Sequence, residues 1–173
     1  MMGMPLAKAD DFLRAKRSST RLAAVQSLYQ VATTGSDYTR VMKDFLAGHL
    51  GGVAIEEDPD TELETPVILG ELDHEMYTSL VSEACARKDE FDGIIEASLS
   101  TDWPQARLEL IVRSILRVAV AELFGTQEIP VRVTISEYVD ITHAFYVGSE
   151  PKMVNAVLDR IVRTVRGPEN AIS

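Results

Sequence analysis

The chain has one cysteine in 173 residues, Cys85, so it holds no disulfide framework, no Cys-x-x-Cys pair and no thiolate zinc site. Flanked by apolar and helix-forming residues, Cys85 reads as a buried structural thiol. No apolar run reaches the about 18 residues that a membrane span needs. The start, "MMGMPLAKADDF", lacks an apolar core followed by a cleavage site. A cytoplasmic chain with no membrane partner is therefore expected. The three histidines, His49, His74 and His143, lie in separate segments, and none is four residues from another. That removes a helical metal pair. Asp73, His74 and Glu75 are consecutive and point in different directions on a helix, so no metal site is expected. Gly-rich phosphate loops, a Gly-x-Ser-x-Gly elbow and a defensible Cys–His pair are all missing. Carboxylates are plentiful, but abundance alone makes a solvated surface. The expectation is a binding protein that is not an enzyme and needs no cofactor.

What is present is an ordinary globular composition, 46% hydrophobic and 25% charged. Its length suits one domain over residues 1–173, with a core that needs no staple. The net charge of −10 is unevenly spread. Residues 1–30 carry five basic groups (Lys8, Arg14, Lys16, Arg17, Arg21) against two acidic ones. Residues 31–101 carry four against sixteen, and residues 102–173 eight against nine. Sign asymmetry of this kind points to a localised anionic partner, whereas the acidic midsection reads as a solubilising surface.

The periodicity is helical nearly throughout. Leu22, Val25, Leu28, Tyr29 and Ala32 recur at spacings of three and four before "TTGS" stops the first helix. Ser36 can cap a second, with Val41, Phe45 and Leu46 inside. The acidic stretch 51–66 reads as an exposed loop. A third helix is expected around Leu72–Arg87 and a short fourth around Phe91–Leu99. "STDWPQARLELIVRSILRVAVAELFG" is the strongest segment: Thr101 or Asp102 can cap it, Pro104 suits a first turn, and apolar residues from Leu108 to Phe124 cover most of its circumference. Such a helix belongs in the middle of a bundle. "VRVTISEYVDITHAF" begins like a strand, but Thr134 with Glu137 fits a capping box, and the spacing that follows is helical. A last amphipathic helix starts at Ser149 and stops at Gly167–Pro168. The fold class is thus all-α, a single-domain bundle of about seven helices around a central apolar one.

The basic head carries the functional reading. At 100° per residue, Arg14, Arg17 and Arg21 fall within about 60° of arc, and Val25 and Leu28 continue the same side. The first half of the helix would project past the bundle that anchors its second half. Arginines there can fork onto phosphates, with Ser18, Ser19 and Thr20 donating to the same oxygens. The same charge could equally be a solvated end facing the acidic midsection.

Three stretches together resemble the NusB family of bacterial transcription antitermination factors: "R…R…AVQSLY" in the first helix, "ILRVAVAEL" at 115–123, and "ISEYVDITHAF" followed by "KMVNAVLDRI". The resemblance implies an all-helical fold without catalysis. It implies binding of boxA-type RNA with NusE, a small-subunit ribosomal protein, within an RNA polymerase elongation complex containing other Nus factors. Alone, members are monomers or homodimers. By position, the resemblance implies RNA-binding roles for Lys16, Arg17, Ser18, Arg21, Tyr29, Lys152 and Met153. It implies partner-binding roles for Tyr29, Val112 and Arg113. Met153 stands where members usually present phenylalanine, Val112 where many have glutamate, and Tyr146 and Ala156 where glycines are usual. Ser18 and Ser19 interrupt the usual arginine run, so fewer phosphates can be neutralised and a shallower salt dependence is expected. Two other readings remain open. One is a helical protein-interaction module with its arginines paired internally; the other is a fragment of a ribosomal RNA methyltransferase with a NusB-like head.

Overall fold

The structure is a computed structural model that describes residues 6–48, 71–104, 108–125 and 128–166. Among these residues it has seven helices: α1 (Leu6–Thr34), α2 (Tyr38–Leu46), α3 (His74–Ala86), α4 (Lys88–Ser98), α5 (Leu110–Gly125), α6 (Val131–Phe145) and α7 (Glu150–Arg166). The expected loop at 51–66 and the expected stop at Gly167–Pro168 lie outside the described residues.

α5 is the hub, packing against α1, α3, α4, α6 and α7. Every residue from Ser114 to Leu123 is buried, as its nearly all-round apolar surface predicts. Ala24, Val25 and Leu28 of α1, Tyr77 and Val81 of α3, Phe91 of α4, Tyr138 of α6 and Leu158 of α7 close the core around it. α6 and α7 form a further packed pair. The helix ends follow backbone chemistry. Gly35, at φ +68°, terminates α1 in the left-handed conformation, and its N–H donates to the Val31 carbonyl at 3.0 Å. Asp73 caps α3 by accepting from the Met76 N–H at 3.0 Å. Arg87 joins α3 to α4, reaching Glu90 at 2.6 Å while its guanidinium lies 4.7 Å from the Phe91 ring centre.

Several local expectations are corrected. Asp37, not Ser36, caps α2, accepting from the Thr39 N–H at 2.9 Å. That bond is what holds the Asp37 carboxyl below its ordinary value. α5 begins at Leu110, so Thr101, Asp102 and Pro104 precede it in a separate turn. α6 begins at Val131 behind Pro130, which leaves Thr134 inside the helix and buried, with no capping box. Pro130 has no N–H to satisfy and presets the entry to the helix, which outcompetes a side-chain cap four residues later. Cys85 is half-buried, and burial pushes its thiol up.

Tyr77 shares a hydrogen with Ser27 across 2.7 Å in the core, and burial pushes its phenol up to about 12. A raised value means the folded state holds the proton that the unfolded chain releases near pH 10.0. The resulting stability is complete below pH 10 and is lost as the pH rises through about 12. Urea midpoints should therefore fall across this window, and less steeply in Tyr77→Phe.

Candidate nucleic-acid interface

α1 contains 29 residues, a length of about 44 Å at 1.5 Å per residue. Its second half is clamped by the bundle and its first half is not. Ala7, Lys8 and Asp10 through Ala15 are exposed, as is Arg17, whereas Thr20, Arg21, Ala23, Ala24 and Val25 are buried. The charged-to-apolar stripe anticipated from the helical projection is present, and the bundle edge falls between Arg17 and Arg21.

That edge corrects the expectation for Arg21. Its side chain is 2% exposed. The guanidinium donates from Nε to Glu122 Oε2 at 2.9 Å and from Nη2 to Glu122 Oε1 at 2.7 Å, a forked pair. Nη1 lies 3.3 Å from Glu137 Oε2. Tyr138 Oη donates to Glu122 Oε2 at 2.6 Å, and Ser18 Oγ donates to Glu137 Oε2 at 2.6 Å. Burial alone would lower the Arg21 pKa, but the hydrogen bond and charge of Glu122 outweigh it and the net shift is upward. Burial, reinforced by the negative Glu122, keeps Tyr138 protonated well above the ordinary phenol range. Arg21 thus ties α1 to α5 and α6, with its charge neutralised inside the protein. Thr20 adds a second tie: its hydroxyl donates to the Lys16 carbonyl at 2.7 Å and accepts from the Asp73 N–H at 2.9 Å.

Two further expectations change for the same reason, burial. Met153 is 7% exposed and belongs to the hydrophobic core, so little of its side chain is open to a base. Val112 is buried on α5 and offers no surface to a partner. A short apolar side chain at that register turns into the hub. Ser18 is half-buried and already committed to Glu137. The remaining candidates are accessible: Arg17, Tyr29 and Lys152 are exposed, and Lys16 and Arg113 are half-exposed. Arg113 lines a groove of about 780 Å³ with Leu28, Val31, Tyr38, Leu110 and Arg117. Tyr146, capping α6, donates to Glu109 Oε2 at 2.8 Å; burial and that carboxylate raise its phenol. The side chains of Lys8, Arg14, Lys16 and Arg17 have no hydrogen bond or ion pair among the described residues, which leaves four cations on one projecting helix.

From the sequence, Glu122 and Tyr138 carry no such role, and Glu137 has only a place in a capping box. A signal for one of them was there: a carboxylate inside "ILRVAVAELF" sits on a helix that is buried all round, and a buried charge demands a partner. Arg117 on the same helix obeys the same rule, meeting Asp92 at 2.9 Å.

The sequence model of the NusB family matches residues 18–163. The chain is 46% identical over 157 residues to the transcription antitermination protein NusB of Rhodospirillum rubrum, covering 87% of this chain and 85% of that protein. It is 40% identical over 152 residues to the NusB of Mesorhizobium japonicum, covering 88% and 92%. Among solved structures, T. maritima NusB superposes with a TM-score of 0.66 at 23% identity, covering 98% of both chains, a likeness of fold. A chain from the crystal structure of antitermination factors NusB and NusE in complex with double-stranded RNA gives 0.62 at 26% identity, covering 86% of this chain and 97% of that one.

Proposed function

We infer the function from one premise: the chain belongs to the NusB family. It is a transcription antitermination factor that binds RNA together with the ribosomal protein NusE. In this reading it recognises boxA-type elements in nascent ribosomal RNA transcripts and joins the RNA polymerase elongation complex with other Nus factors. Its work is done by contact surfaces, with no reaction step assigned to any residue. A single domain over 1–173 carries these surfaces.

The observation that carries the reading is the free basic half of α1, held out from the bundle by the Arg21–Glu122 anchor. Lys16 and Arg17 lie one turn beyond the buried edge, where phosphates can approach without desolvating a core. Tyr29 and Lys152 supply further exposed polar and aromatic surface, and the Arg113-lined groove suits the protein partner. Arg21 serves by positioning the helix, not by meeting RNA. Helix-borne cations position a backbone better than they read bases, so NusE and exposed bases must supply the sequence preference.

Arg17→Ala should leave the melting temperature unchanged and weaken binding of a boxA-like RNA in the presence of NusE. The dependence of log K on log salt should flatten by about 0.7 for one lost single-strand phosphate contact. Fluorescence anisotropy over a salt series measures both. Equal affinity and slope in parent and variant would remove Arg17 from the interface; failure of the parent to bind with NusE present would sink the reading.

A further inference from the structure

We propose that residues 8–16 of α1 form an additional RNA-contact arm, in which Phe12 stacks on an unpaired base and Lys8 and Lys16 hold the flanking phosphates. The proposal rests on the RNA-binding reading above and extends it to a segment that precedes the family match, which begins at residue 18.

The arm is continuous helix, so spacing fixes its faces. Lys8, Phe12 and Lys16 are each four residues apart and share one side, separated by about 6 Å along the axis. Phe12 is 49% exposed, Lys8 is exposed and Lys16 half-exposed. Asp10 falls about 160° around the helix from Phe12 and Asp11 about 100°, so the face carries no acid at Phe12 and Lys16, while Asp11 borders Lys8 one turn away. None of these side chains has a hydrogen bond, ion pair or ring contact among the described residues. Core packing therefore gives no reason for an aromatic ring here. A ring between two cations is the pattern that binds single strands: the ring stacks on a base and the ammonium groups neutralise phosphates on either side.

Charge identifies the occupant. Residues 1–30 hold five basic and two acidic groups, while the chain as a whole is at −10, so an anionic ligand is drawn to this end and repelled elsewhere. Phe12 lies about 140° around the helix from Arg17, so a strand seated on the arginines reaches it by winding past Leu13 and Lys16. Leu13, 48% exposed, faces the Arg17 side and extends the apolar contact. An acidic protein segment is the competing occupant.

The test uses the full chain with NusE and two single-stranded RNAs, a minimal boxA-like oligonucleotide and one extended at either end. Phe12→Ala is expected to weaken binding of the extended RNA by about five- to hundredfold, the range for one stacked base, while binding the minimal RNA like the parent. Lys8→Gln with Lys16→Gln should flatten the salt dependence for the extended RNA by about 1.4. Phe12→Trp should retain affinity and show emission, above that of Trp103, quenched by the extended RNA. Lys8 and Phe12 are exposed and Lys16 half-exposed, and unchanged melting temperatures confirm an intact fold. Parent-like binding of the extended RNA by Phe12→Ala overturns the arm, as does loss of NusE binding with RNA binding intact, which assigns the face to protein. Arg17→Ala, measured alongside, separates the two claims: an effect there with none at Phe12 removes the arm and keeps the RNA-binding function. No RNA binding by the parent removes both.

Discussion

Arg21→Ala should cost about 3–5 kcal/mol of stability, because it strands Glu122 as a buried and unpaired carboxylate. Glu122 is 2% exposed, and Tyr138 alone would remain as its close partner. For a chain of this size the melting temperature should drop by about 10 °C or more. Urea unfolding followed by circular dichroism measures the change. Replacing Arg21, Glu122 and Tyr138 together by Met, Leu and Phe should restore most of the loss, since two desolvation penalties disappear with the pair. A full loss in the triple variant would show that the network does more than neutralise itself. RNA binding offers a second discriminating readout. Affinity lost by Arg21→Ala should follow the unfolded fraction and leave the salt slope of the folded molecules unchanged. Arg17→Ala should do the opposite.

The next largest effect is expected at the hub. Leu116→Ala, at a fully buried site on α5, should destabilise by about 2–5 kcal/mol through lost transfer free energy and the cavity left behind. Leu110→Ala, at the exposed start of the same helix, should cost under about 1 kcal/mol. Denaturant midpoints at constant m-value give the comparison. A small effect at Leu116 would mean that α5 can be repacked around a void, and its central place would need another explanation.

The same contrast separates what was legible in the sequence from what was not. The apolar stretch from Leu108 to Phe124 marks α5 as central, because a helix apolar over most of its circumference has nowhere else to go. α7 was readable from its two-sided pattern, and α1 from its three- and four-residue spacing. Helix starts were less legible. The Thr134–Glu137 pair satisfies the capping-box pattern but lies one turn inside α6, where Thr134 accepts no free N–H of the helix start and Glu137 serves Arg21 and Ser18 instead. A local motif records what a backbone could use; packing against the neighbouring helix decides whether it does. Met153 and Val112 show the same limit, since a position carried over from relatives says nothing about whether a changed side chain still reaches the surface.

By itself the sequence determined an all-helical chain built around α5, membership of the NusB family, and a basic first helix with its charges on one face. Helical periodicity and composition are local, and each is written within a few turns of chain. Only the tertiary structure decided where along α1 the bundle ends. Arg14, Arg17 and Arg21 share a face and differ only in height, and the carboxylate that claims Arg21 is 101 residues away. No periodicity spans that distance. The packing of α5 against α1 and α6 places Glu122 and Glu137 at the level of Arg21, drawing that charge inside. Arg17 stays one turn beyond them, in water, where a phosphate can reach it.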